Sequence, residues 1–165
     1  MTITQTGAEL TKKAGRIKFS IEDPKLREPY FGLTKFEFGE SENGPLMVIL
    51  VIPPDIEFAP HYHNTDYCTV VMKGALKVGN TWYNEGDIRV QDEGSVYGPI
   101  WSGPDGCTTL NFYGDRAALP DQFTKEAHKQ RFEELMPIAR AAYVEAGIGA
   151  NAAQPDNSDI TETSV

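Results

Sequence analysis

The segment Pro60-His61-Tyr62-His63-Asn64-Thr65-Asp66-Tyr67, with Gly74 after it, sets the terms for the rest of the chain. Of the three histidines in the protein, two stand here with one residue between them. Side chains on a strand alternate faces, so His61 and His63 point to the same side. Two imidazoles on one face make half of a metal site. The rest of the chain has to supply the other half.

The sequence around this pair reads as short strands broken by turns. Leu46 to Ile52 is a continuous apolar, β-branched run between Gly44-Pro45 and Pro53-Pro54, which predicts a strand buried on both faces. Leu33 to Phe38 predicts a half-buried strand, and Asn43-Gly44 a hairpin turn. After the histidines, strands are expected over Tyr67–Met72, Leu76–Val78, Thr81–Tyr83, Ile88–Val90, Ser95–Trp101 and Thr108–Tyr113. Turns are expected at Lys73-Gly74, Gly79-Asn80, Glu85-Gly86-Asp87, Asp92-Glu93-Gly94 and Gly103-Pro104-Asp105-Gly106. Turn signals this regular predict an antiparallel sandwich or barrel, not a βαβ protein.

Beyond Asp115 the pattern changes. Phe132, Leu135, Ile138, Ala139, Ala142 and Tyr143 form an amphipathic stripe within a helix over Thr124–Ala146. Pro137 predicts a kink or a division into two helices, and Gly147 is a good residue to stop it. Arg16 to Phe19 is a candidate first strand. The expected organisation is a flexible arm over 1–15, a β-barrel over 16–115, a helical segment over 116–149 and a disordered tail over 150–165.

A length of 165 residues with 40% hydrophobic residues fits one domain with a packed core. The net charge of −9 argues against nucleic acid and anionic membrane surfaces as partners. No apolar run approaches a membrane span. Cys68 and Cys107 read as structural thiols in a reducing compartment, and the N-terminus lacks a secretory pattern, so a cytoplasmic location is expected. No phosphate loop, nucleophile elbow or CxxC pair occurs.

The stretch from residue 54 to 101 resembles the cupin family, the small β-barrel proteins with two conserved motifs. The family's first motif places a Glu between its His-x-His and a later Gly. Here His61, His63 and Gly74 match, Pro54 stands at the leading Gly, and Tyr67 at the Glu. In the second motif Gly86 and Gly94 match, Asp92 replaces a Pro, Tyr97 falls on the His and Trp101 on the Asn. The resemblance implies an all-β, single-domain, cupin-type antiparallel β-barrel (a jelly roll) with a C-terminal α-helical segment.

It also implies a divalent transition metal, with Fe favoured and Zn, Mn, Ni or Cu as alternatives, held by His61 and His63. Tyr67 and Tyr97 are then ligands through phenolate oxygen, or acid–base groups in the pocket. Asp66, one place from the Glu position, is a further oxygen donor if a bulge turns it inward. Trp101, Phe112 and Tyr113 are candidate pocket walls, whereas Trp82 is expected outside and His128 on an exposed helix face. The implied activity is a metal-dependent enzyme for a small oxygen-rich or carbonyl-containing substrate, with a dioxygenase ahead of a lyase, isomerase or cyclase. The alternative is a non-catalytic small-molecule-binding cupin that has lost metal ligands, with no metal if the motif is degenerate. A homodimer is the expected assembly.

Overall fold

A computed structural model of the chain describes residues 3–6, 9–13 and 33–147, the first two segments as backbone only. The strands are β1 (Ile3–Thr6), β2 (Glu9–Lys13), β3 (Leu33–Glu37), β4 (Leu46–Ile52), β5 (Glu57–Phe58), β6 (Tyr67–Val78), β7 (Thr81–Asn84), β8 (Ile88–Gln91) and β9 (Ile100–Tyr113). A 3₁₀ turn (Arg116–Ala118) and one helix, α1 (Glu126–Glu145), follow. The strands form one sheet in the order β1-β2-β3-β4-β9-β6-β7, with β5 added to β9 and β8 to β6. All pairings are antiparallel except β2 with β3.

The expected all-β chain with a C-terminal helix is what the structure has, and the expected strand over Leu46–Ile52 matches β4. Three features differ. The start of the chain is a β1–β2 hairpin whose second strand pairs with β3, where a loose arm was expected; pairing to an open sheet edge satisfies its backbone. The candidate strand at Arg16–Phe19 and the expected tail over 150–165 lie outside the described residues. The turns expected at Lys73-Gly74 and Gly103–Gly106 do not reverse the chain. They are irregularities inside β6 and β9, with register shifts between Val71 and Lys73 and between Gly74 and Leu76. A glycine at positive φ marks a bulge as readily as a turn. Gly74 (φ +74) also lies where a Cβ would collide with the Gly106 carbonyl, so glycine there lets β6 and β9 close on one another.

The third difference is that α1 runs unbroken through Pro137. A proline inside a helix costs about 3 kcal/mol, and packing offsets it: Leu135, Ala139 and Tyr143 are buried on either side of Pro137. Ala139 and Tyr143 join an apolar core with Ile52, Ile56, Val71, Leu76, Ile100 and Cys107. Ile138, also expected on the buried stripe, is 60% exposed. Gly147 ends the helix at φ +73, as its position suggested. Among the described residues no helix is long and apolar enough to cross a membrane.

Candidate metal centre

The His61–His63 strand is held by its neighbours on two sides. On one, His61 and Tyr97 form an antiparallel bridge, with N–H···O distances of 3.1 and 3.0 Å. Directly paired residues share a face, so the Tyr97 ring lies beside the His61 ring, centroids 4.6 Å apart. Gly98 permits this approach: a Cβ there would lie 3.1 Å from the Pro60 Cα. On the other side Tyr62 bridges Gln122, at 3.0 and 2.9 Å. Since Tyr62 and Gln122 share one face, their neighbours His61, His63 and Asp121 share the other.

That second bridge recruits a residue from outside the barrel strands. The Asp121 Oδ1 lies 3.7 Å from His61 Nε2 and 3.9 Å from His63 Nε2. One potential ligand atom from each of the three falls within 4.8 Å of the others. The segment that delivers Asp121 is itself anchored. Arg116 pairs with Glu37 at 3.0 Å and donates from Nε to the Gly44 carbonyl at 3.2 Å. Asp115 Oδ1 caps the 3₁₀ turn by accepting from Ala117 N at 2.8 Å.

These three residues could hold a metal ion. Two imidazoles and one carboxylate make a borderline N/O donor set for a first-row divalent ion. Bonds of ~2.1 Å at tetrahedral angles put ligand atoms about 3.4 Å apart, slightly inside the observed spacings. The His61 Nδ1 lies 2.7 Å from the Ala59 carbonyl, which selects the tautomer that leaves the Nε2 lone pair toward the site. The His63 Nδ1 is buried without a hydrogen-bond partner. Burial holds the His63 pKa below the usual imidazole value and His61 adds to this, while the Asp121 carboxylate pulls it up. A neutral imidazole is the form that binds metal.

The other residues singled out from the sequence fall into two groups. Tyr67, Tyr97 and Tyr113 line the same cavity as the histidines, a space of about 630 Å³. Burial raises the Tyr97 phenol well above its usual pKa, with the Tyr67 and Tyr113 phenols adding and the Arg89 guanidinium opposing. Burial also raises Tyr67, against the pull of Arg89. Both keep their protons at neutral pH. The Tyr97 hydroxyl donates to His61 Nε2 at 2.7 Å, and the Tyr67 hydroxyl accepts from Arg89 Nη1 at 2.8 Å. Tyr113 stacks on Tyr67, centroids 4.9 Å apart.

Asp66, Trp101 and Phe112 do not line the cavity, which corrects their expected place there. Asp66 is exposed, and its Oδ1 accepts from Glu93 N at 2.8 Å. No bulge turns it inward, because the register of β6 stays regular from Tyr67 to Val71. Phe112 is 41% exposed, alternating with the inward Asn111 and Tyr113. Trp101 lies under the Lys77 ammonium, 5.2 Å from its ring. Trp82 is half exposed, as expected, and the thiols of Cys68 and Cys107 are free. His128 lies half-buried on α1, outside the cavity.

Two site residues escaped the sequence reading. Asp121 had no motif to mark it, since a bridge between distant segments places it. Arg89 is the central residue of Ile88-Arg89-Val90, where the apolar neighbours suggest that the charge faces water. It is 7% exposed and lines the cavity.

No family model matches the chain, and no curated protein matches it. Solved structures do. A cupin-2 domain containing protein from Shewanella frigidimarina is 20% identical over 45% of this chain and 72% of its own, with a TM-score of 0.37. The DMSP lyase DddQ from Ruegeria pomeroyi is 12% identical over 56% of this chain and 51% of its own, at 0.44. Rhodobacter sphaeroides SigE in complex with the anti-sigma ChrR gives 22% identity over 45% of this chain, at 0.40, and the match spans 41% of that chain. The chain has a cupin-like fold, a mostly antiparallel sheet with one C-terminal helix, carried by its strand topology and by glycines at the motif positions.

Proposed function

We propose that this chain is a metal-dependent enzyme, in which His61, His63 and Asp121 hold one divalent transition ion and the cavity takes a small oxygen-bearing organic substrate. The observation that carries this reading is the convergence of the two Nε2 atoms and the Asp121 carboxylate at the cavity wall. A donor set of two His and one carboxylate suits non-haem Fe(II), which favours a dioxygenase over a lyase, isomerase or cyclase. A bound ion would supply Lewis acidity and open positions for substrate oxygen and O₂.

The chain's own residues supply the rest. Tyr97 keeps a proton on Oη within the cavity and is the group placed to pass it to a substrate oxygen. The side chains of Leu50, Ile52, Phe58 and Leu119 give the cavity apolar walls that exclude water from the reacting atoms.

Inductively coupled plasma analysis tests this reading. Protein loaded with Fe, Zn, Mn, Ni or Cu and then desalted should carry about one equivalent of metal, and the Asp121→Ala variant far less. Failure of the wild type to hold any of the five would leave a metal-free reading, favoured by the 2.7 Å Tyr97–His61 contact, in which those two act as an acid–base pair. We also propose a homodimer, supported by the exposed Ile88, Val90 and Phe112 on the outer sheet face. Light scattering should return twice the 18.3 kDa chain mass, and a monomer mass would rule the dimer out.

A further inference from the structure

Among the described residues, Arg89 is a buried cation without a counter-ion. Its side chain lines the cavity and is 7% exposed. Among the described residues no carboxylate lies within ion-pair distance of it; its partners are neutral. Nη1 donates to the Tyr67 hydroxyl at 2.8 Å and Nη2 to the Gln91 Oε1 at 2.5 Å. Its Cζ lies 4.0 Å from the Tyr97 ring centroid and 5.4 Å from that of Tyr67. These contacts fix the guanidinium in place and use two of its five N–H donors. They leave its charge unmatched, and a buried charge is costly unless something of opposite sign meets it.

One ring, that of Tyr97, is in contact with both Arg89 and His61. A ligand in the cavity beside Tyr97 is therefore close to both the guanidinium and the His61–His63–Asp121 group. With a divalent ion in place, Asp121 cancels one of its two positive charges, and Arg89 restores the excess. Arg116 also lines the cavity, but Glu37 neutralises it.

We infer that Arg89 is the anchor for the carboxylate of the substrate, which is a small organic acid whose second oxygen function reaches the His61–His63–Asp121 group. This rests on the metal-enzyme reading for the second contact and stands on its own for the first. A guanidinium fork takes a carboxylate through two parallel N–H···O bonds, and it discriminates strongly against the neutral amide of the same shape. Arg89 is thus a specificity residue, with Tyr67 and Gln91 as its positioning residues.

The test pairs acids with their amides. Pyruvate and pyruvamide, then benzoate and benzamide, are titrated into the full-length protein by ligand-observed NMR. Chelator-treated and zinc-loaded preparations are compared, with zinc content measured in parallel. Wild type should bind each acid about tenfold or more tightly than its amide in both preparations. Arg89→Met should reduce the acid to the level of the amide with zinc content unchanged, and Arg89→Lys, which keeps the charge and loses the fork, should fall between.

Equal affinity for acid and amide in the wild type overturns the inference, and needs no variant to fold. An acid preference untouched by Arg89→Met overturns it also. Failure to take up zinc counts against the metal reading alone, because the acid–amide comparison in chelated protein still reports on Arg89.

Discussion

β6 and β9 lie side by side for their whole length, yet their two ends enclose different interiors. At one end the inward residues are Val71 and Leu76 on β6 and Ile100 and Cys107 on β9, packed with Ile52 and Ile56 against Tyr143 and Ala139 of α1; of these, Ile52, Leu76 and Ile100 also form part of the cavity wall. At the other they are Tyr67, Thr69, Thr109, Asn111 and Tyr113, which surround the cavity. There the polar groups satisfy each other. Thr69 donates to Asn111 Oδ1 at 2.7 Å, and Asn111 donates to Thr109 Oγ1 at 2.9 Å. The packed end excludes water and holds the fold. The hollow end has the hydrogen bonds of its strand residues settled in advance and gathers His61, His63, Asp121 and Arg89 at its wall. The change from apolar to polar occurs along the strands, and the register shifts between Val71 and Leu76 move the inward face of β6 from odd-numbered to even-numbered residues.

The sharpest way to break this contrast is to remove a ligand at the hollow end. His63→Ala should lower metal affinity more than about 100-fold while leaving the thermal midpoint of the metal-free protein near that of wild type; equilibrium dialysis and calorimetry read the two effects separately. Next, Tyr97→Phe keeps the ring and removes the proton. Turnover should fall about 10²-fold or more, with metal content retained, and an unchanged rate would take the proton role away from Tyr97.

At the packed end, Ile56 is 5% exposed and does not line the cavity. Ile56→Ala should cost about 2–5 kcal/mol by urea unfolding and leave metal binding intact. The smallest effect is a pH dependence. Burial pushes the Cys107 thiol from 9.0 up to about 12. The unfolded chain ionises first, so the stability this thiol contributes is complete below pH 9 and is lost as pH rises toward 12. Between pH 8 and 10 the loss is about 1.4 kcal/mol, and Cys107→Ala should remove that part of the slope.

The same contrast explains what could be read in the sequence. The His61–His63 parity, the β4 run and the turn-rich spacing are local signals, and each matches an element of the structure. At the packed end the rule that apolar residues face inward holds. At the hollow end it inverts. Ile88 and Val90 are 64% and 74% exposed while Arg89 between them is buried, and Phe112 faces out while Asn111 faces in. A strand lining a polar cavity has the alternation of an ordinary strand with its faces exchanged, and no local feature distinguishes the two. Asp121 was hidden for another reason. Its place follows from the Tyr62–Gln122 bridge and the Arg116 anchor, both contacts between segments far apart in sequence. The sequence offered Tyr67, Tyr97 and Asp66 as oxygen donors because they fall on or beside motif positions. The structure adds a carboxylate from the segment that follows the last strand.

The central claim is that the hollow end holds a metal at three named side chains, and anomalous diffraction tests it directly. Crystals of the zinc-loaded protein, measured on both sides of the zinc edge, should show one strong peak bounded by His61 Nε2, His63 Nε2 and the Asp121 carboxylate, absent from crystals of Asp121→Ala. A peak elsewhere in the molecule, or a peak at this place that survives Asp121→Ala undiminished, would contradict the account.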